Sequence, residues 1–404
     1  MGESTVTMSD LPRDVLEEVL SRVPLKSLRS VRSTCKKWNT LMKDETFRKK
    51  HIADQEKSAA EKDEFLAIMV MDFRVYLTSV SLDNFDTSIN QLAKLISLND
   101  ANHQVDISRV FHCDGLLLCV TEDMDSRLVV WDPYSGQTRW IEQPRSSSYC
   151  FYDRYALGYE MEKKKNGSLR RHKILRLLDV YDTSRVGVPI RECEIYSLKS
   201  SSWKVLRETP TCYIHFNQRG VSLKGNTYWC GELEPADILH WRSFLVCFDF
   251  TTERFGPHMN LPFHATYDDT LAFSRVREEQ LAVLLQRRGT LRVEIWVTTK
   301  IEPKDVSWSK LFLEVDTMGP LSNAVSFFID QKKEVAVAFD KNNFLPISIN
   351  VAYIMGNNGY HKKLDLGESR EDNCWPLACC YVPSSVQMEQ PARRSKRKRN
   401  QIVY

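Results

Sequence analysis

Nine histidines, eleven cysteines and 53 carboxylates could arm this 404-residue chain for hydrolysis or metal chemistry, so their spacing decides what is on offer. A zinc hydrolase needs histidines one helical turn apart with a glutamate between them. No H-E-x-x-H occurs, and His258 and His264 flank a proline-bearing loop, where surface or satisfied polar roles are expected. A serine nucleophile would sit in a G-x-S-x-G elbow, and a phosphate cradle in G-x-G-x-x-G or G-K-[ST]; none is present. The cysteines are odd in number and form no Cys-x-x-Cys pair, which reads as reduced, mostly buried thiols. Cys379 and Cys380 are adjacent and in a strand would point to opposite faces. Asp268-Asp269 and Glu278-Glu279 are neighbours in apparent loops and read as solvated turn residues. No catalytic or metal-ligating residue is therefore assigned, no cofactor is expected, and the chain does not read as an enzyme.

The remaining dense chemistry is charge. Arg393-Arg394-Ser395-Lys396-Arg397-Lys398-Arg399 supplies six of the 56 basic residues, so the other 50 face 53 acidic ones and the rest of the chain is about −3. A near-neutral body gives no reason to expect a nucleic-acid surface. The cluster (Arg393, Arg394, Lys396, Arg397, Lys398 and Arg399) is of the kind an import receptor reads, so a nuclear or nuclear and cytoplasmic location is expected. No apolar run approaches 18 residues, and the first residues carry Glu3 and Asp10 without an apolar core, so neither a membrane span nor secretion is expected. A composition of 42% apolar and 27% charged residues is ordinary for a globular protein.

Near the N-terminus, Pro12 can open a helix in which Val15, Val19 and Val23 recur every four residues, with Leu16 and Leu20 thickening the stripe. Pro24 ends it and can open a second, where Leu25, Leu28 and Val31 repeat every three. A third segment brings Cys35, Trp38, Leu41 and Met42 to one side. Three short helices cannot bury this much apolar surface among themselves, so part of the stripe is left for a partner or for the rest of the chain. Residues 48–64 are charged and free of proline and glycine, which predicts a solvated helix or stiff spacer.

The run from Leu11-Pro12-x-Asp14-Val15 through Glu18-Val19-Leu20-x-Arg22-Val23-Pro24-x-Lys26-Ser27-Leu28 to Val31-Arg32, Cys35-Lys36-x-Trp38 and Leu41 resembles an F-box. That resemblance implies a helical module docking on a Skp-type adaptor, itself carried by a cullin scaffold. The adaptor-binding residues it implies are Leu11, Pro12, Val15, Leu16, Val19, Leu20, Val23, Pro24, Leu28, Val31 and Trp38. Some of these must instead form the module's own core, and the pattern does not say which.

From Phe65 onward, short runs rich in Val, Leu, Ile and aromatics alternate with Gly, Asp, Asn and Pro, a strand-and-turn texture. A unit recurs there, with an aromatic strand, a Ser/Thr-bearing turn and a closing aromatic. Markers at Tyr76, Trp131, Tyr196, Phe248, Trp296 and Tyr353 lie about 50 residues apart, each from Trp131 on preceded by another apolar strand. That pitch predicts a propeller of about six blades, with the unit-end aromatics packed between blades. A β-sandwich is the alternative arrangement. The Asn-Gly within residues 162–173 predicts a charged hairpin tip.

This region also resembles the F-box-associated domain of plant F-box proteins, through Asp114-Gly115-Leu116, Val130-Trp131-Asp132-Pro133, Lys224-Gly225-Asn226-Thr227-Tyr228-Trp229, Cys247 to Phe255 and Asn373 to Pro383. It implies a domain that recruits a target protein. The chain thus reads as an α+β multidomain protein: a three-helix F-box (5–48), a charged helical linker (49–64), an all-β, about six-bladed propeller-like domain (65–386) and a disordered basic tail (387–404). The function so implied is the substrate-recognition adaptor of a Skp–cullin–F-box ubiquitin ligase, with an unknown target. A propeller enzyme or small-ligand sensor regulated by its N-terminal helices is the alternative, and a nuclear nucleic-acid binder a third, which the near-neutral body opposes.

Overall fold

A computed structural model describes residues 11–388, except 25–26, 62–63, 84–85, 95–98, 101–102, 124–126, 143–152, 165–166, 181–189, 216, 234–241, 267, 278, 317–318, 344–346, 357–358, 372–373 and 387. The basic cluster at 393–399 lies outside the described residues.

Four helices come first: α1 (Arg13–Ser21), α2 (Leu28–Thr34), α3 (Lys36–Leu41) and α4 (Glu45–Glu61). Pro12 is the N-cap of α1, and Arg13–Glu17 and Arg22–Glu18 pairs brace its exposed side at 2.7 and 2.6 Å. Cys35 caps α3, its Sγ accepting from Trp38 N. Asp44 Oδ1 accepts from Thr46 N and Phe47 N at the start of α4, and backbone donors and Arg13 hold its carboxyl below the usual range.

The strands build six antiparallel sheets in a ring, five of four strands and one of five, with a separate two-stranded pair of Asn99–Asp100 and His103–Gln104. Blade 2 is Ile107–Cys113, Leu116–Thr121, Leu128–Asp132 and Gln137–Ile141; blade 3 is Arg154–Lys164, Gly167–Val180, Ile190–Ser197 and Ser202–Val205. Blade 4 is Val221–Leu223, Asn226–Leu233, Arg242–Asp249 and Arg254–Phe255, with Met259–Asn260 alongside; blade 5 is Thr270–Val276, Gln280–Gln286, Arg292–Glu302 and Asp305–Asp316. Blade 6 is Ser326–Asp330, Val335–Asn342, Ile349–Gly356 and His361–Glu368. Blade 1 is assembled from both ends of the chain. Its innermost strand, Leu377–Cys380, pairs with Glu64–Met71, which Arg74–Asp83 and Asp86–Lys94 follow.

All six sequence markers fall on the third strand of their blades, and the apolar segments before them form the second strands. The packing explains that texture. Each sheet is covered on both faces, so alternate residues of one strand enter different cores. In blade 2, Leu116, Leu118 and Val120 face blade 3, while Leu117 and Cys119 face blade 1. Six such cores, one per neighbouring pair, complete the ring. Cys379 and Cys380 do point to opposite faces, into the cores toward blades 2 and 6. Of the unit-end aromatics, Trp203, Phe255 and Trp308 pack partly buried against the cores between blades 2 and 3, 3 and 4, and 4 and 5, whereas Trp140 is exposed, with the Arg127 guanidinium carbon 4.6 Å from its ring centre.

Two expectations need correction. The charged helix after the F-box is not a solvated spacer, because Phe47, Arg48, His51 and Ile52 on one face of α4 are buried. Its sequence looks uniformly polar because two of those four buried side chains are themselves polar. Met388, expected in the tail, is buried in the core between blades 2 and 3.

Because the ring closes on a four-residue strand, that strand is a sensitive point. Ala378→Asp places an unpaired carboxylate between blades 6 and 1 and should destabilise the chain by roughly 3 kcal/mol or more in chemical denaturation. Val205→Asp, at a position 63% exposed, should cost no more than about 0.5 kcal/mol.

Candidate functional site

The first helix has two apolar faces with different fates. Leu16 and Leu20 are buried with Leu41, Met42, Phe47, Ile52 and, from blade 2, Tyr134. Leu11, Val23, Val31 and Trp38 pack partly buried at the rim of this core. Val15 and Val19 are 41% and 40% exposed, and Pro12 and Pro24 are exposed. One residue along a helix is a turn of about 100°, enough to rotate Leu16 and Leu20 inward while Val15 and Val19 face water. Of the eleven residues expected at the adaptor, Leu16 and Leu20 thus lie in this chain's own core. The side chain of Leu28 lies outside the described residues, as do Leu25 and Lys26.

The helical module sits on the Trp131-Asp132-Pro133-Tyr134-Ser135-Gly136 turn that joins the last two strands of blade 2. Arg48 on α4, 2% exposed, donates from Nη1 to Asp132 Oδ2 at 2.9 Å; the Asp132 side chain is 1% exposed. Its Nη2 donates to the carbonyls of Ser384 and Val386, and its guanidinium carbon lies 4.6 Å from the centre of the Tyr134 ring. One side chain therefore ties together helix, turn and the C-terminal segment leaving blade 1. Ser135 completes the shell of Asp132, donating from its backbone N and its hydroxyl.

A second link runs through His51. Its Nε2 lies 2.7 Å from the carbonyl of Val23, which can only accept, so Nε2 carries the proton. Nδ1 is then the acceptor for the Tyr134 hydroxyl at 3.0 Å. Burial holds His51 below the usual imidazole range and pushes the Tyr134 hydroxyl up, so both stay neutral near pH 7. Arg32 adds a third link, donating to the Tyr134 carbonyl. Gly136 lies at φ 68°, and a Cβ there would stand 2.8 Å from Arg32 Nη2, so the turn accepts only glycine without rearrangement.

On the same side, Gly115 (φ 74°) lets the C-terminal segment approach, since a Cβ would meet Ser384 N at 2.5 Å. Asp114 beside it accepts from Ser384 Oγ and from Arg170.

In an up-and-down ring, connections alternate between two faces. The face carrying the helices has the short turns, such as 114–115, 133–136, 224–225 and 250–253. The opposite face takes a longer connection, of which 206–215 and 217–220 are described. On that side Arg176 bonds Asp153 at 2.6 Å and Glu194 at 3.2 Å, all three buried. Burial alone pushes Glu232 up to about 7. It also pushes the Cys379 thiol up to about 12 and that of Cys374 upward, which removes them as thiolate nucleophiles.

Known proteins bear directly on this arrangement. The F-box domain family matches residues 8–50, and the F-box associated beta propeller domain family matches residues 66–388. The chain belongs to the F-box proteins with an F-box-associated β-propeller domain. Among its relatives is an F-box/kelch-repeat protein of Arabidopsis thaliana, 53% identical over 399 residues, spanning 95% of this chain and 100% of that one. An F-box protein of the same plant is 54% identical over 398 residues, 95% of this chain and 99% of the relative. The F-box here therefore comprises α1 to α3 and the start of α4, the helix through which it rests on blade 2. Sequence reasoning missed Arg48, His51 and Tyr134, whose contacts join residues far apart in the sequence.

Two outcomes check this seat. Arg48→Ala leaves Asp132 buried without its cation and should cost ~3–5 kcal/mol in denaturant unfolding, against no more than about 0.5 for the exposed Lys57→Ala. His51 has a folded pKa below its unfolded one, so its contribution is intact above about 6.5 and lost as pH falls below that value. His51→Gln should show a smaller loss of stability than the parent between pH 7 and pH 5.

Proposed function

We propose that the chain is the target-recognition adaptor of a Skp–cullin–F-box ubiquitin ligase. The observation that carries this reading is the pair Val15 and Val19, left in water on a helix whose other face is committed to the chain's own core. An apolar helix face of this kind is the shape a groove-binding partner completes. The surface offered to the Skp-type subunit comprises Pro12, Val15, Val19 and Pro24, with Leu11, Val23, Val31 and Trp38 at its margin. Leu16 and Leu20 support that surface from beneath.

The far face of the propeller, away from the helices, is the side proposed to hold the target. The helices stand on the other side, so both partners can bind at once. The role is then proximity. A lysine of the target is kept at high effective concentration near a conjugating enzyme carried by the same scaffold, and this chain supplies no reacting group. F-box proteins are typically non-catalytic, which fits this reading. The basic cluster Arg393 to Arg399 would direct the chain to the nucleus, since six cations within seven residues suit an acidic import groove.

Titration of a purified Skp-type subunit against Val15→Asp/Val19→Asp should give at least tenfold weaker binding than the parent, with an unchanged melting temperature because both positions are exposed. Equal binding by the two proteins would refute docking through this face.

A further inference from the structure

The inner strands enclose a cavity of ≈ 80 Å³ along the propeller axis. A single water needs about 10–15 Å³ of such space, so several waters or one small ion fit. Its polar lining is lopsided. Arg219, just before the inner strand of blade 4, and Arg275, on the inner strand of blade 5, both reach it, together with Asn217, Gln218 and Asn323. Among the described residues lining it there is no aspartate or glutamate.

The two arginines are not equivalent. Arg275 Nη2 is engaged, donating to His112 Nδ1 at 2.9 Å and to the Cys380 carbonyl at 3.2 Å. Arg219 Nη1 is buried and has no hydrogen-bond partner among the described residues. A carboxylate that acts on the Arg219 charge is that of Asp340, whose oxygens already accept from Ser322 Oγ at 2.5 Å, Ser322 N at 2.6 Å and Lys341 N at 2.8 Å. Burial, with the Arg109 charge adding repulsion, pushes the Arg219 guanidinium down to about 10. That is still charged at neutral pH. A partly buried cation whose Nη1 finds no partner among the described residues is costly to a fold, and this one lines a cavity with room beside it. The lining amides Asn217, Gln218 and Asn323 can supply further donors around the same space.

We propose that this cavity is a binding site for a small oxyanion, of the phosphate or carboxylate kind, held by Arg219. The planar fork of a guanidinium matches two oxygens of such a group. The anion can arrive free or on a side chain of a bound polypeptide entering from the face away from the helices. The site does not depend on the F-box, and its test is separate from that of adaptor docking.

Thermal unfolding of the full chain in inorganic phosphate, against sodium chloride at matched ionic strength, reads it out. The parent should melt at progressively higher temperature with phosphate until saturation. Arg219→Met should melt higher than the parent without phosphate, because the costly cation is gone, and should need at least tenfold more phosphate for the same shift. Arg219→Lys, which keeps the charge without the fork, should respond between the two. A short phosphoserine peptide as second titrant separates the sources: a shift at lower concentration than free phosphate assigns the site to a side chain, and no shift assigns it to a free ion. Either result stands with the proposal. A parent response to phosphate no greater than to chloride, or an equal response in Arg219→Met, would overturn it.

Discussion

The buried pair of Arg48 and Asp132 is the joint on which the two halves of this molecule depend. Neither charge could be tolerated at that depth alone, and each is supplied by a different half: the cation by α4, the carboxylate by the Trp-Asp-Pro-Tyr-Ser-Gly turn of blade 2. Arg48 also reaches the carbonyls of Ser384 and Val386, so the segment that has just closed the ring is fastened at the same point. Desolvation makes the pair intolerant of partial assembly. Its contribution lies in specifying one seating of the helices more than in adding net stability.

Around that joint the division of apolar surface follows. Tyr134 completes the core that Leu16, Leu20 and Phe47 begin, so the small helical module does not have to be stable by itself. With the inward face satisfied by blade 2, the outward face of α1 is free of structural duty, and Val15 and Val19 can be kept apolar for another subunit. The propeller in turn is held by its helix-bearing face, and the axial cavity lined by Arg219 and Arg275 lies apart from that joint. The faces proposed for the Skp-type subunit and for the target thus lie on opposite sides because of where one ion pair sits.

Much of this was legible in the residues. The F-box is dense in local signals, prolines at both helix boundaries and valines at helical spacing, and three helices lie where these signals put them. The blade count was legible because sheets buried on both faces leave uninterrupted apolar runs, such as Leu116 to Val120, punctuated by turns with Asp-Gly and Lys-Gly. What was not legible depends on contacts far apart in sequence. Leu377–Cys380 carries no local sign that its partner is Glu64–Met71, some 300 residues earlier. Arg48 and His51 look like any polar helix residues until Asp132 and Tyr134 are brought to them. Which leucines and valines of α1 turn inward was undecided for the same reason: the stripe is wide, and the object that covers half of it is a turn 110 or so residues away.

Amide hydrogen exchange on the intact chain tests the shared joint most directly. If the helices and blade 2 are one cooperative unit, the slowest amides of Leu16 to Ser21 and of Phe47 to Ile52 should open with the same free energy as those of Leu128 to Asp132. Helical amides that exchange through their own, much cheaper opening while blade 2 stays protected would contradict the account.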